Sequence, residues 1–159
     1  MPNDQEFADE FWDSIRSDMT AMIGTRKLHP KPMTAQFDGD RRTIYFFTAS
    51  DTELASGAAA PTDATLVYAS KGHDLFATVQ GTLQVDNDRV LIDRLWNRFV
   101  AAWFEGGKDD PKLCLLRFDP GQAEIWKDAS SIVAGAKMFL GLGDPKEDYK
   151  DSVATVSLS

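Results

Sequence analysis

Histidine and cysteine, the side chains most often used for nucleophilic, acid-base and zinc chemistry, are few in this sequence, and their spacing removes most of that chemistry. The two histidines, His29 and His73, stand in turn-forming segments with no cysteine or second histidine at metal-ligand spacing, so a metal site is not expected. The single cysteine, Cys114, rules out an internal disulfide, and its place between Leu113 and Leu115 marks a strand residue, not an activated thiol. Ser14, Ser17, Ser50 and Ser70 lack the flanking glycines of a nucleophile elbow, so hydrolase chemistry has no support. Gly106 and Gly107 open onto Lys-Asp-Asp-Pro and not onto a helix start, which argues against a phosphate-binding loop. The paired acids there are instead suited to fixing the loop by accepting backbone N–H bonds. What the chain does concentrate is aromatic surface. Three of its four tryptophans fall within residues 95–126, beside this polar loop, which suits either a corner of the core or the wall of a planar ligand's site.

The elements that must position these residues can be read from periodicity and turn chemistry. Asn3 can cap a helix with Glu6 at its third position, and Phe7, Phe11 and Ile15 follow at helical spacing over residues 4–17. A first strand is expected over 19–25. A hairpin is expected where the Asp38-Gly39-Asp40 turn separates the runs 33–37 and 43–48, with Pro30 and Pro32 confining its first strand to an edge. Ser50 or Asp51 can cap a short helix reaching Ala59. Strands follow at 64–70 and 75–85, the second interrupted by Gly81, which suggests a bulge. Asp88 can cap a helix carrying Leu91, Leu95, Phe99 and Ala102 on one face. Two further strands, LCLLRF and AEIW, read as a hairpin about a tight turn at residues 119–121. Residues 129–141 read as weakly helical or irregular, and a last strand is expected at 152–158.

These signals describe a mainly β chain, a single domain over 1–159 with 129–159 as a C-terminal extension. An antiparallel barrel capped by helices fits them better than a parallel α/β sheet. With 159 residues, 43% of them hydrophobic, the chain can bury a real core. The formal net charge of −8 argues against nucleic acid and anionic membranes as partners. The segment MPNDQEFADEF has neither the basic start nor the apolar run of a signal peptide, so a cytoplasmic protein is expected.

Taken together and in order, KPMTAQF, IYFFTASDTE, ATVQG and LWNRFVAAWFEGGKDDPKLCLLRFDPGQAEIW resemble the pyridoxamine-phosphate-oxidase-like split-barrel superfamily, in its bacterial general stress protein branch. The resemblance spans about residues 7–128 and implies a homodimer of six-stranded antiparallel split β-barrels with FMN in clefts at the subunit interface. By the same resemblance Lys31, Pro32, Met33 and Thr34 form the strand beside the flavin ring. Phe47 and Thr48 reach the ribityl chain and phosphate, Trp126 approaches the flavin from the partner subunit, and Gly81 is a barrel glycine. Core packing would account equally well for Met33 and for Trp126. The sequence departs from the oxidases at two places. Glu53 and Leu54 occupy positions that those enzymes give to a basic pair on the phosphate, so FMN is expected to bind weakly, in the micromolar range. The tail after Trp126 lacks the arginine-histidine signature that holds pyridoxine phosphate, so oxidation of that substrate is not expected. The implied function is an FMN-dependent oxidoreductase acting on an unidentified small molecule. The alternatives are a non-catalytic flavin-binding or stress-response module, or a deazaflavin binder.

Overall fold

The computed structural model describes residues 3–127, 141 and 152–159. Helix α1 (Asp4–Asp18) starts at the expected cap, where Asn3 Oδ1 accepts from the Glu6 backbone N–H at 2.8 Å. It ends at Met19, in the left-handed region at φ 58°. Phe7, Phe11, Trp12 and Ile15 form its buried face, and the helix packs against the strands β5, β6 and β7 defined below.

Six strands form one antiparallel path in the order β2-β1-β4-β5-β6-β3. They are β1 (Thr20–Thr25), β2 (Lys31–Thr34), β3 (Ile44–Ala49), β4 (Thr62–Ala69), β5 (Leu75–Val85) and β6 (Leu113–Lys127), and β7 (Val153–Ser157) adds to β6. The sheet curls but does not close. Its two ends, β2 and β3, are joined by one bridge, in which Gln36 N–H donates to Tyr45 O at 2.7 Å and Tyr45 N–H to Gln36 O at 2.9 Å. The antiparallel split barrel expected from the sequence is therefore present. Pro32, which has no N–H to give a ladder, sits on the edge strand β2 as its residue type requires.

Alternate side chains of β3 and β6 enter two different cores. Ile44 and Phe46, with Cys114, Leu116 and Phe118, face the barrel interior. Tyr45, with Leu113 and Leu115, faces a second cluster roofed by helices α3 (Arg89–Leu95) and α4 (Arg98–Ala101). Strands covered on both faces read as unbroken apolar runs, and IYFF and LCLL are such runs.

This two-sided burial also explains where the expected hairpins fail. The runs 33–37 and 43–48 do not pair as a ladder: β2 pairs with β1, β3 pairs with β6, and the Gln36–Tyr45 bridge is their one link. β3 needs the long partner β6 to fill both its faces, and a four-residue edge strand could not supply that. The turn expected at 119–121 is also absent, because β6 runs straight through for 15 residues. Both halves of β6 lie against β5. The register shifts between Val79 and Gly81, so that Gly121 and Gln122 stand against the single residue Gln80. Asp-Pro-Gly here makes a bulge and not a turn, and the bulge expected at Gly81 is found.

Smaller differences follow from capping. Helix α2 (Glu53–Gly57) is capped by Thr52, not by Ser50 or Asp51. The helix expected after Asp88 breaks at Trp96, where the backbone is extended and Asn97 caps a new helix through bonds from Phe99 N–H at 2.9 Å and Val100 N–H at 3.1 Å. The stretch 129–141 lies, apart from Gly141, outside the described residues. No helix among the described residues is long and apolar enough to cross a membrane.

Candidate functional site

A cleft of about 550 Å³ opens where the barrel is split. Pro32, Met33 and Thr34 of β2 form one wall, and Phe47, Thr48 and Ala49 of β3 form the other. Thr20, Gln36 and Thr52 also line it, and α4 with the turn after it supplies Phe99, Val100, Trp103 and Phe104. The strand-edge segments bring flat apolar surface and threonine hydroxyls to the same space, which is what a planar heteroaromatic ring with a polar chain requires.

Among the residues named from the sequence, Pro32, Met33, Thr34, Phe47 and Thr48 line this cleft together. Lys31 does not line it; it opens β2 with its side chain exposed. Trp126 lies elsewhere, near the far end of β6 between Phe76 and Val153, with the neighbouring Ile125 turned into the core. Phe76 in turn stacks on His73, ring centroids 6.1 Å apart. Glu53 is exposed one residue beyond the cleft residue Thr52, whereas Leu54 is buried in the barrel core. Among the described residues, none that lines the cleft has a titratable side chain.

The residues named for the flavin leave out Thr20, Ala49 and Thr52 and two further parts of the cleft. The first is the aromatic rim, which the sequence offered only as a core corner or a planar ligand's wall. Val100 and Phe104 are buried, whereas Phe99 and Trp103 are 69% and 84% exposed at the mouth. The break at Trp96 creates this arrangement, because restarting the helix at Asn97 turns Phe99 away from the face of Leu91 and Leu95. The second is Gln36, which is only 9% exposed and follows the fully buried Ala35.

Ion pairs hold the rim's supports in place. Arg94 meets Asp38 at 2.9 Å, tying α3 to the loop before β3. Arg89 meets Asp109 at 2.6 Å and Lys108 meets Asp93 at 3.2 Å, tying α3 to the loop after α4. Apart from Asp38, whose side chain is mostly buried, the groups in these pairs are at least one-third exposed, so each pair contributes about 1 kcal/mol or less and orients more than it stabilises. Within that loop Asp110 does what the sequence predicted. Its carboxylate accepts from Lys112 N–H at 2.9 Å and Gly106 N–H at 3.0 Å, and those two bonds hold it below the usual carboxylate range. Cys114 is buried opposite Thr48, and burial pushes its thiol up, in keeping with an inert core residue.

Residues 6–141 match the family described as "Pyridoxamine 5'-phosphate oxidase like". The chain belongs to this family. Its similarity is strong to a crystallised general stress FMN/FAD binding protein from the phytopathogen Xanthomonas citri, at 45% identity and a TM-score of 0.76 over 80% of this chain and 92% of that one. A candidate general stress protein 26 from Jannaschia sp. CCS1 gives 32% identity and a TM-score of 0.78 over 98% of this chain and 99% of that one. General stress protein 26 of Bacillus subtilis is 31% identical over 103 residues, 63% of this chain and 71% of the relative. These relatives bear out the general stress branch of the pyridoxamine 5'-phosphate oxidase-like family that the motifs indicated.

Proposed function

We propose that this protein is a flavin-binding member of its family that holds FMN in the cleft between β2 and β3 and acts as a flavin-dependent oxidoreductase on a small molecule. The observation that carries this reading is that five of the residues named for the flavin from the sequence meet in one cleft of suitable size and polarity. The FMN/FAD binding named for the Xanthomonas citri relative supports it. Met33, Pro32 and Phe47 would cover the ring, and the hydroxyls of Thr34, Thr48 and Thr52 would meet the polar chain. A bound flavin supplies hydride and electron transfer at its own ring. The chain's part is then to bind, orient and exclude water, since among the described residues no lining side chain can hold or move a proton. That same lack favours the second reading, a flavin-binding or stress-response module without turnover.

In this reading the protein is a cytoplasmic homodimer, with Trp126 placed against the partner's flavin. The outer face of the sheet supports the dimer. Met22 and Val67 are direct register partners and stand 40% and 37% exposed, while Phe76 and Trp126 pair further along the same sheet. Apolar surface of this kind on a barrel is suited to a two-fold contact.

Titrating flavin-free protein with FMN by fluorescence quenching tests the site. We expect saturation in the micromolar range, weakened at least tenfold by Met33→Asp, which puts a carboxylate into the apolar wall. The absence of saturable quenching by about 1 mM would remove the flavin reading. Bleaching of the loaded protein by NADH or NADPH favours the oxidoreductase, and an inert loaded protein favours the module. Sedimentation at the mass of one 17.6 kDa chain would exclude the shared cleft.

A further inference from the structure

Helix α1 and the loop before β3 meet at a place that the cleft does not use. Among the described residues, two buried side-chain nitrogen atoms have no hydrogen-bond partner, Trp12 Nε1 and Arg16 Nε. They belong to neighbours one helical turn apart, and the Arg16 guanidinium carbon lies 5.2 Å from the centroid of the Trp12 ring. The ring of Phe37 crowds the same guanidinium at 5.9 Å. Trp12 is 3% exposed and Arg16 is half-buried. The guanidinium makes one hydrogen bond, from Nη2 to Arg41 O, and at 3.4 Å that bond is longer than the usual range of about 2.7–3.2 Å. It forms no ion pair with any described residue.

A guanidinium keeps its charge at any ordinary pH, and a charge held among aromatic rings without an anion is costly. Nε and Nη2 share one edge of the guanidinium, and that edge takes two oxygens of a carboxylate or phosphate side by side. A water molecule could accept one of these N–H groups but would leave the charge unmatched. The loop has the same preference. Arg42 directly follows the carbonyl that Arg16 meets, and it is exposed and forms no ion pair with any described residue. Asp38, the half-buried acid of this loop, is already held by Arg41 at 3.6 Å and by Arg94 at 2.9 Å. We propose that the seam between the end of α1 and loop 38–42 is a second ligand site. It takes a small oxyanion, a carboxylate or phosphate group, on the Nε and Nη2 edge of Arg16, with Trp12 Nε1 as a further donor. None of Trp12, Arg16 and Phe37 lines the cleft, so this site stands whether or not a flavin binds. The two places are nonetheless joined, because Phe37 follows the cleft residue Gln36, and Met19 O at the end of α1 accepts from Ala35 N–H at 2.7 Å.

The test follows the N–H signals of the site in full-length protein labelled with nitrogen-15. The four tryptophans give separate indole signals, and the one lost in Trp12→Phe is that of Trp12. Sodium acetate and sodium phosphate are titrated in turn, with sodium chloride at matched ionic strength as the control for screening. We expect the Trp12 indole signal and the Arg16 Nε–H signal to move together along one saturating curve with at least one of the two oxyanions, and not with chloride. Acetate acting alone identifies a planar carboxylate as the ligand group, and phosphate acting alone a phosphate group. Arg16→Lys keeps the charge and removes the two-donor edge, so half-saturation should rise about tenfold or more. A response no different from that to chloride up to about 100 mM would overturn the proposal on native protein alone, whatever the variant does, and would leave water as the partner of both N–H groups. Unchanged half-saturation in Arg16→Lys, with its fold confirmed by the remaining indole signals, would overturn it too.

Discussion

Gly81→Ala puts the account of the barrel to its hardest test. Gly81 lies at the bulge, directly opposite Pro120, and its reason for being glycine is space and not backbone angle. An added Cβ would stand 2.4 Å from Asp119 O and 2.6 and 2.7 Å from two ring carbons of Phe118. Carbon atoms prefer separations of about 3.5–4.0 Å, so each contact is short by roughly 1 Å. Neither neighbour can give easily. Asp119 O belongs to the backbone of β6, and Phe118 is fully buried in the barrel core, in register with both Leu83 and Ile44. Overpacking of this kind costs about 1–3 kcal/mol, and parting β5 from β6 locally adds the loss of a ladder hydrogen bond at about 1 kcal/mol. We therefore expect a loss of about 2–4 kcal/mol, or ~5–15 °C in melting temperature for a chain of this length. Thermal and urea unfolding followed by circular dichroism measure it. Two controls share the chemistry and not the contacts: at Gly121 an added Cβ meets only Gln80 O, at 3.2 Å, and at Gly57 it meets nothing within 4 Å. Gly121→Ala should cost under about 1 kcal/mol, and Gly57→Ala, at the end of α2, should be neutral or slightly stabilising. If Gly81→Ala melted within about 2 °C of the native protein, the close approach of β5 and β6 would be wrong.

Three further outcomes follow. The Tyr68 hydroxyl, 2.6 Å from Ser14 Oγ, donates to Asp18 Oδ2 at 2.8 Å, and Asp18 also accepts the Lys71 N–H at 2.7 Å, so Tyr68→Phe should cost about 1–2 kcal/mol near pH 7. Asp18 is held below its usual range, first by the Lys71 N–H and then by Tyr68, so its contribution is lost as pH falls through that lowered value. Tyr68 is pushed up to about 12, chiefly by burial, so its contribution is lost as pH rises from about 10 towards 12. The native-minus-variant gap in urea midpoint should therefore narrow at both ends of the pH scale, and a gap constant from pH 3 to about 12 would contradict this network. Glu53→Arg places a cation one residue from the cleft on an exposed position, so FMN should bind roughly two- to fivefold more tightly at low salt and with little change at high salt; no gain at low salt would mean that the phosphate lies elsewhere. Trp126→Ala should weaken FMN binding by about 1–3 kcal/mol with the melting temperature nearly unchanged, whereas the reverse pattern would identify Trp126 as packing alone.

Legibility of the fold tracked how many faces of each element are buried. β4 and β5 alternate between core and outside over most of their length, α1 carries an apolar face opposite charged positions, and all three lie within a residue or two of their expected bounds. β3 and β6 are buried on both faces, so periodicity in IYFF and LCLL cannot say which strand lies beside them. Local turn chemistry then decided the reading, and it decided wrongly twice. Asp38-Gly39-Asp40 does reverse the chain, with Gly39 at φ 59°, but the strands it joins part after one bridge. Asp-Pro-Gly at 119–121 is equally suited to a bulge, and which of the two forms depends on Gly81, some forty positions earlier in the chain.

The cleft was legible where it is built from strand edges and illegible where it is built from a helix break. Pro32, Met33, Thr34, Phe47 and Thr48 were named through their resemblance to family motifs, and the fold brings them to one cleft. The rim carried a signal of its own. The buried apolar positions from Asp88 to Phe104 are 91, 92, 95, 100 and 104, so the face of 91 and 95 is followed by a step of five to 100. In one continuous helix at about 100° per residue, position 99 would lie about 40° from position 95, and position 100 about 140° away. Taking Phe99 as buried was therefore reasonable only if the helix was unbroken. Asn97 argues that it is not, since it stands where a side chain can accept from the next free N–H groups, and a restart there brings Val100 and Phe104 inward together. The consequence is functional: the same step that buries Val100 exposes Phe99 and Trp103 at the mouth of the cleft, so the cap at Asn97 sets which aromatic surface an incoming molecule meets.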